Sequence, residues 1–208
     1  MIETRSGRQN ARREALLQAA AEVFFEQGYA AASIDAIIER AGGSKRNIYN
    51  IFKNKEGLFA AIVARNADRI LSALVIEGEE ERDLRETLTV LGQHLMEAYM
   101  SPALIGVYRI AVAEANRFPD LVKAFYERGP GRATARLAEI LEEAGKRGEI
   151  RAGDYSRMAD HFVGMIRDNL HLQILLGLRP PPSVDEAREA VRSAVEIFLN
   201  GVRFDRGG

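Results

Sequence analysis

Residues 42–55, GGSKRNIYNIFKNK, bring long hydrogen-bond donors and bulky apolar side chains together in one short segment. On a helix, where successive residues are about 100° apart, the apolar side chains share one side: Ile48, Ile51 and Phe52. The polar side chains share the opposite side or its edges: Arg46, Asn47, Tyr49, Asn50 and Lys53. Arginine pairs with guanine and asparagine with adenine, whereas lysine and tyrosine reach phosphates. A helix anchored by its apolar side can therefore present nucleic-acid chemistry on the other.

Two short helices joined by a glycine turn provide the setting for these groups. Ser33 and Ser44 are of the residue type that commonly caps a helix start, and they predict helices at Ile34–Ala41 and Lys45–Phe52. These are the dimensions of a helix-turn-helix motif, whose second helix lies in the major groove of DNA. Backbone N–H groups at the two helix starts are also placed where a phosphate can bind. Taken alone, the segment is also compatible with a solvated amphipathic helix.

The composition is that of a globular protein with a basic N-terminal end. The chain has 208 residues, of which 47% are hydrophobic and 28% charged, and its net charge is −1. Residues 1–55 contain nine Lys and Arg against six Asp and Glu, which favours an anionic partner, with a chance imbalance as the alternative. There is no cysteine, which excludes disulfides and thiolate metal sites. Without a secretory signal or an apolar run of about 18 residues, the sequence predicts a cytoplasmic protein with no membrane partner.

Apolar spacing and capping residues predict helices along the whole chain and no strand. The predicted helices have these approximate bounds: 7–27, 34–41, 45–52, 55–76, 81–99, 102–116, 119–148, 155–178 and 184–202. The predicted caps are Ser33, Ser44, Asn54, Asp154 and Ser183. A bend is expected near Pro130, which lacks a backbone donor, and a loop at the acidic residues 77–83. The fold class is therefore all-α, with a three-helix helix-turn-helix domain at residues 1–53 followed by a helical bundle at residues 54–208.

Residues 16–63 resemble the DNA-binding domain of TetR-family transcriptional regulators. The matching features come in order: Ala-x-x-x-Phe ending in Gly-Tyr, a Ser-Ile helix start, Ala-Gly-x-Ser at the turn, then Tyr49, Phe52, Lys55-Glu56 and Leu58. The stretches YRIAVAEANRFPDLVKAFYERGP and DNLHLQILLG also resemble the AefR-like type of C-terminal regulatory domain. The resemblance implies a ligand-binding and dimerisation domain at residues 54–208, in a homodimeric repressor that leaves a palindromic operator when a small-molecule effector binds. It implies no enzymatic activity, and control by a protein partner in place of the small molecule is the alternative.

The resemblance assigns DNA contacts to Ser33, Lys45, Arg46, Asn47, Tyr49, Asn50 and Lys55, and Ser44 is a further candidate because of its place at a helix start. Of these, Ser33 and Lys55 are expected to touch the DNA backbone. The N-terminal arginines are further candidates for phosphates or an adjacent minor groove: Arg5, Arg8, Arg12 and Arg13. Two positions depart from the family pattern. Gly43 stands where an apolar residue such as valine is usual, which should loosen the turn, and Arg46 stands where a small residue is common, which should add a contact.

Two C-terminal helices have more apolar surface than one core requires. The segment LHLQILLGL is apolar on every side of its helix, and the last helix carries a long apolar stripe. Because one domain's core covers only one face of a helix, a second subunit is expected to cover another. The predicted dimer-interface residues are Leu172, Leu175, Leu176, Val191, Val195 and Phe198. For the stripe of the last helix alone, an ordinary core is the alternative.

Polar groups set among apolar ones in the middle helices are the candidates for contact with the effector. They are Tyr99, Tyr108, Arg109, Asn116, Arg167 and Asp168, each of which also fits a surface, core or interface position. No catalytic residue is predicted, because the sequence lacks a glycine-rich phosphate loop and a nucleophile elbow. The three histidines, His94, His161 and His171, lack the paired Glu-x-x-His pattern of a di-iron bundle. No cofactor and no metal are therefore predicted.

Overall fold

The computed structural model describes residues 5–73 and 82–202, and within these ranges every regular element is an α-helix. Ten helices lie in these ranges: α1 (Arg5–Gln27), α2 (Ile34–Ala41), α3 (Lys45–Phe52), α4 (Lys55–Ala73), α5 (Leu84–Tyr99), α6 (Pro102–Glu114), α7 (Pro119–Arg128), α8 (Pro130–Lys146), α9 (Tyr155–Leu175) and α10 (Val184–Val202). The all-α prediction is confirmed. The single helix predicted at residues 119–148 is two helices, because Gly129 has φ −113° and ψ −97° and Pro130 offers no backbone donor. Residues 74–81, with most of the predicted acidic loop, lie outside the described residues.

Side-chain caps fix where several of these helices begin. In each cap a side-chain oxygen accepts a hydrogen bond from the backbone N–H three residues further on, at 2.7–3.3 Å. The capping residues are Ser33, Ser44, Asn54, Asp154 and Ser183, as predicted. A cap of this type stabilises a helix by about 1 kcal/mol. The short helices α2 and α3 depend on theirs, since helices of this length are marginal without such support.

The helices form two compact units. The first consists of Met1–Asn66 and Gly106–Arg128, and the second of Ala67–Ile105 and Gly129–Gly208. The helix-turn-helix segment therefore shares its unit with the first part of α4, most of α6, and α7. The sequence predicts a functional boundary between residues 53 and 54. The compact units do not divide at this position, and the functional boundary stays a prediction. None of the described helices is both long enough and apolar enough to cross a membrane.

An aromatic cluster forms the centre of the first unit. Tyr29, in the loop before α2, packs its ring against Phe24 of α1 and Phe59 of α4, with 5.3 and 5.4 Å between ring centroids. Phe118, just before α7, meets the same tyrosine edge-on at 5.2 Å. Each such pair stabilises the fold by about 0.5–1.5 kcal/mol beyond its buried area. The cluster thereby fixes the loop from which α2 and α3 start.

Close helix packing defines the second unit, in which α9 packs against α5, α8 and α10. Gly92 of α5 allows this approach, since a Cβ atom there would lie 2.7 Å from Val191 and 3.1 Å from Ile166. Helix α9 is interrupted at Asp168, whose φ of 42° and ψ of −165° are not helical. Such a conformation is costly for a residue with a Cβ atom and breaks the hydrogen-bond ladder of the helix.

Candidate nucleic-acid interface

Helices α2 and α3 are fixed within the first unit by burial and by a bidentate ion pair. Ile37 of α2 is buried, as are Ile48 and Phe52 of α3. The Arg40 guanidinium of α2 donates to both carboxylate oxygens of Glu26 on α1, at 2.8 and 2.7 Å. This hydrogen bonding lowers the pKa of the Glu26 carboxyl. Bidentate pairs constrain geometry as well as charge, so the motif is presented in one orientation on α1.

The two sides of α3 agree with the sequence prediction except at one residue. Ile48 and Phe52 are buried, but Ile51 is 40% exposed, so its predicted place on the buried side is wrong. Ile51 lies about 60° to one side of Ile48 on the helix, and Phe52 lies on the other side of Ile48. A helix of eight residues that packs through the narrow stripe of Ile48 and Phe52 leaves the Ile51 edge open.

Four of the predicted contact residues are exposed on α3: Lys45, Arg46, Tyr49 and Asn50. The Nζ atom of Lys45 lies 2.9 Å from Oδ2 of Asp35, and this hydrogen bond raises the pKa of the lysine. Because an exposed ion pair contributes little to stability, a phosphate can replace the Asp35 carboxylate at small cost. The polar side of α3 can therefore offer both cationic and amide donors to DNA.

Three other predicted contact residues of the motif are partly engaged within the protein. Ser33 and Ser44 accept backbone hydrogen bonds through their hydroxyl oxygens. A hydroxyl also donates, so each serine can still bind a phosphate. Asn47 is half-buried, and its Nδ2 atom is buried with no hydrogen-bond partner among the described residues. A contact between Asn47 and a base therefore requires its side chain to turn outward.

Lys55 has a different place from the one predicted. Its Nζ atom donates to the backbone oxygens of Tyr29, Ala30 and Ala32 at 2.8, 3.2 and 3.1 Å. An ammonium group has three hydrogens, so all its donors are used inside the protein. The predicted contact of Lys55 with the DNA backbone does not fit this arrangement. Lys55 instead holds the loop before α2, as does Glu114, which accepts from the Ala30 N–H at 3.0 Å.

Two of the N-terminal arginines flank α3. The guanidinium carbon of Arg13 lies 5.7 Å from the ring centroid of Phe52, near the end of α3. Arg12 is exposed and lies beside the turn between α2 and α3. The side chains of Arg5 and Arg8 lie outside the described residues.

Two of the predicted effector-binding residues lie together in the second unit. The guanidinium carbon of Arg167 is 5.4 Å from the ring centroid of Tyr99, and its Nη2 atom is 3.3 Å from Nδ1 of His171. His171 is 2% exposed. Its burial, followed by the nearby charge of Arg167, lowers its pKa to about 4. His171 is absent from the predicted effector set, although its position one helical turn after Arg167 indicates such a contact.

The other predicted effector-binding residues are divided between the two units. Tyr108 belongs to the first unit and packs edge-on against Phe125 at 5.0 Å. Arg109 and Asn116 are exposed on the same unit. Asp168 belongs to the second unit and lines a groove of about 530 Å³ formed mainly by residues of α9 and α10. Within residues 5–73 and 82–202, no group of three or more His, Asp or Glu side chains could hold a metal ion.

The predicted dimer-interface residues divide between surface and core. Those at the end of α9 are exposed or half-buried: Leu172, Leu175 and Leu176. Those on α10 are buried in their own unit: Val191, Val195 and Phe198. This burial fits the alternative of an ordinary core and does not fit a dimer interface. Phe198, for example, packs on Phe162 of α9 with 5.2 Å between ring centroids. The exposed side of α10 carries Ser193 and Ile197 instead.

Comparisons with known proteins find a matching family for the N-terminal part of the chain and another for the C-terminal part. Residues 16–62 match the family described as bacterial regulatory proteins, tetR family, and residues 86–201 match the C-terminal domain described as an AefR-like transcriptional repressor. UidR, an HTH-type transcriptional regulator of Escherichia coli K12, is 30% identical over 199 residues, covering 94% of this chain and 91% of UidR. The structure of a TetR-family transcriptional regulator from Mesorhizobium loti is 29% identical with a TM-score of 0.81, covering 97% of this chain and 100% of that one. The flavonoid-responsive regulator FrrA is also 29% identical, with a TM-score of 0.77 and coverage of 95% of this chain and 100% of FrrA.

Proposed function

Because the chain belongs to the TetR family of DNA-binding transcriptional regulators, we propose that it is a repressor that binds a palindromic operator as a homodimer and is released by a small-molecule effector. Members of this family are regulators and not enzymes. The observation that supports the DNA-binding mode is the exposed polar side of α3, opposite the buried Ile48 and Phe52. Repression follows if the bound dimer covers a promoter.

Arg46 and Asn50 are the residues proposed to contact the DNA bases. Both are exposed on the face of α3 that points away from the buried stripe. An arginine or asparagine that pairs bidentately with its base contributes about 1–3 kcal/mol of discrimination against the wrong base. Lys45, Tyr49 and the two capping serines are the proposed phosphate contacts, which fix the register of the helix in the groove.

DNA selection with the purified protein tests this assignment. A random duplex library yields the preferred sequence, and Arg46→Ala and Asn50→Ala are then measured on that sequence and on random DNA. Each variant is expected to lose preference at its own base position while keeping most of its affinity for random DNA. Glu39→Ala, an exposed change on α2, serves as the control. Unchanged preference in both α3 variants would mean that α3 does not read the sequence.

The proposed dimer forms through the exposed apolar residues at the end of α9. Leu172 and Leu176 are 49% and 63% exposed. Contiguous exposed apolar side chains of this size mark interaction surfaces. An isologous two-fold pairing of this surface covers the same residues on both copies, and a two-fold dimer reads two half-sites of a palindrome.

Oligomeric state tests the surface. Leu176→Asp is expected to give a folded monomer, because a carboxylate would be buried without a partner in the interface. Val112→Asp is the matched control, since Val112 is an equally exposed apolar residue of α6 in the first unit. Sedimentation of both variants distinguishes the outcomes. A stable dimer of Leu176→Asp would place the interface elsewhere.

The proposed effector site lies in the second unit. The groove of about 530 Å³ lined by Met165, Asp168 and Ile197 has a volume in the range of small-molecule sites. Arg167 directly precedes Asp168 of the groove in the sequence, and it forms the buried polar cluster with His171 and Tyr99. Because FrrA is a flavonoid-responsive regulator, planar phenolic compounds are a reasonable first class of effector to test on this chain.

A compound panel that includes flavonoids tests the effector proposal. An effector is expected to raise the melting temperature of the protein and to lower its affinity for the selected operator. Arg167→Gln is expected to weaken both effects together. Effector binding that leaves operator affinity unchanged would contradict regulation by that compound.

Control by a protein partner is the second candidate. Leu178 and Val184, on either side of the proline loop, are 72% and 66% exposed. Leu178 lies two residues after Leu176 of the proposed dimer surface, and both Leu178 and Val184 offer apolar contact to another protein. If no small molecule releases the operator, but a purified binding partner does so and Leu178→Asp blocks that release, this second function holds.

A further inference from the structure

The turn between α2 and α3 has a backbone conformation that requires glycine. Gly42 has φ +72° and Gly43 has φ +111°, and residues with a Cβ atom rarely adopt such values. The two glycines differ in their surroundings. A Cβ atom at Gly42 would meet nothing within 4 Å, whereas one at Gly43 would lie 3.1 Å from Nη2 of Arg12. The sequence predicts a loosely packed turn at Gly43, but the guanidinium of Arg12 covers it.

Arg12 differs from three of the other cations around α3, Lys45, Lys55 and Arg13, in how its charge is used. The ammonium of Lys45 pairs with Asp35, and that of Lys55 binds three backbone carbonyls. Arg13, the next residue of α1, lies over the Phe52 ring and within 3.5 Å of Glu14. Arg12 is exposed and forms no ion pair or hydrogen bond with any residue that the structure describes. Its charge is therefore available to an external anion next to the start of α3.

We propose that Arg12 binds a DNA phosphate at the edge of the groove that receives α3, and that Gly43 is needed because it leaves space for the guanidinium over the turn. The proposal deepens the proposed function, since it rests on entry of α3 into the major groove. Arginine suits this task because its planar fork pairs with phosphate oxygens in two places. A contact of this kind positions the protein and does not read the sequence.

The salt dependence of DNA binding tests Arg12. Each phosphate neutralised by a cation contributes about −0.9 to the slope of log K against log salt concentration. Arg12→Gln should therefore make the slope less steep by about 0.9 per subunit and weaken binding about eightfold per subunit at roughly 0.1 M salt. The loss should be equal on the selected operator and on a random-sequence duplex. Lys123→Gln, which removes one exposed charge from α7 of the same unit, should leave the slope unchanged.

The results separate failure of this contact from failure of the proposed function. If Arg12→Gln keeps the wild-type slope, as Lys123→Gln does, Arg12 does not bind a phosphate. If the loss appears on the operator but not on random DNA, Arg12 reads a base and the proposal is overturned. Arg46→Ala tests entry of α3 independently, because loss of sequence preference in that variant supports reading by α3 whatever Arg12 does.

A double-mutant cycle tests the role of Gly43. Gly43→Ala is expected to weaken DNA binding in the wild-type background and less so in the Arg12→Gln background, where no guanidinium has to move. Gly42→Ala is the matched control, because it imposes a similar φ strain with no contact to Arg12, and its effect should be equal in both backgrounds. Melting temperatures show that each variant is folded. Equal effects of Gly43→Ala in the two backgrounds would mean that Gly43 serves only the turn.

Discussion

Each compact unit contains a buried tyrosine with a cation above its ring, but the two cations are held differently. In the first unit the Nζ atom of Lys55 lies 4.7 Å from the ring centroid of Tyr29. In the second, the guanidinium carbon of Arg167 lies 5.4 Å from that of Tyr99. The Lys55 donors all go to backbone carbonyls of one loop. Arg167 lies beside His171, a side chain that can itself become charged.

The two cations therefore differ in whether the groups around them can change their charge with pH. Backbone carbonyls do not titrate, so the acceptors that hold Lys55 in place do not change with pH. The arrangement around Arg167 is favourable only while His171 is neutral, because a protonated imidazole would place two positive charges 3.3 Å apart. The first arrangement suits a part of the molecule that presents a fixed helix to DNA. The second suits a part whose conformation is expected to respond to a ligand.

The largest expected effect is the loss of the Lys55 support. Lys55→Met keeps an unbranched apolar side chain one atom shorter than lysine but leaves three carbonyls without their charged donor. Hydrogen bonds to charged groups contribute about 1.5–3 kcal/mol each, and partial rehydration of the carbonyls offsets some of this, so the free energy of unfolding should fall by about 4 kcal/mol. Urea denaturation measures the change. Lys123→Met, at an exposed position of α7, is the control, and similar stability of the two variants would show that the Lys55 contacts contribute little.

Lys55 also shows where prediction from sequence stops. The helix positions and caps depend on residues within one turn of each other, and for this reason Ser33, Ser44 and Asn54 are recognisable from the sequence alone. The partners of Lys55 are carbonyls 23 to 26 residues earlier in the chain. Only the tertiary fold brings them together, so the family resemblance assigns Lys55 to DNA although its donors are already used within the protein.

The apolar stripe of α10 has the same limitation. Periodicity correctly predicts that Val195 and Phe198 are buried on one side of the helix, but it does not say whether the same subunit or another covers them. The core of the second unit covers them. Exposure at Leu172 and Leu176 is visible only after the positions of α5 and α10 against α9 are known. The polar side of α3 is more predictable, because its outward residues follow directly from the buried pair on the opposite side.

The second prediction concerns the acid side of the stability profile. The pKa of His171 is lowered to about 4 by burial and by Arg167, from an ordinary value of 6.5. Between these two values the unfolded chain binds a proton that the folded chain does not, so stability falls as pH falls. The contribution is complete above pH 6.5, and its loss at pH 4 should reach about 3 kcal/mol.

A variant that lacks the imidazole at position 171 isolates this contribution. In His171→Gln the free energy of unfolding should change less between pH 6.5 and pH 4 than in the wild type, with the difference due to position 171. His161→Gln is the control, because His161 is exposed on the same helix. If the pH profiles of His171→Gln and the wild type are parallel, the imidazole does not make the Arg167 cluster dependent on pH. The cluster would then not differ in this respect from the Lys55 contacts.

The third prediction concerns Glu114, the second side chain that holds the loop before α2. Glu114 is buried and accepts the Ala30 N–H at 3.0 Å. Glu114→Ala should lower the free energy of unfolding by about 1–3 kcal/mol, because it leaves this N–H without its partner. Glu114→Gln keeps an acceptor oxygen and should cost less. If the glutamine variant is as unstable as the alanine variant, the charge of Glu114 matters more than its hydrogen bond to the loop.

The smallest expected effect is on the titration of His171 when its cationic neighbour is removed. Burial is the larger cause of its lowered pKa and the charge of Arg167 the smaller. In Arg167→Gln the pKa of His171 should therefore rise but stay below 6.5, and NMR titration of the imidazole measures this directly. Arg157→Gln, on an exposed part of the same helix, should leave the pKa unchanged. A return to the ordinary value in Arg167→Gln would mean that the site admits water once the guanidinium is gone. The cation over Tyr99 would then be what keeps the cluster closed, a role closer to that of Lys55 over Tyr29.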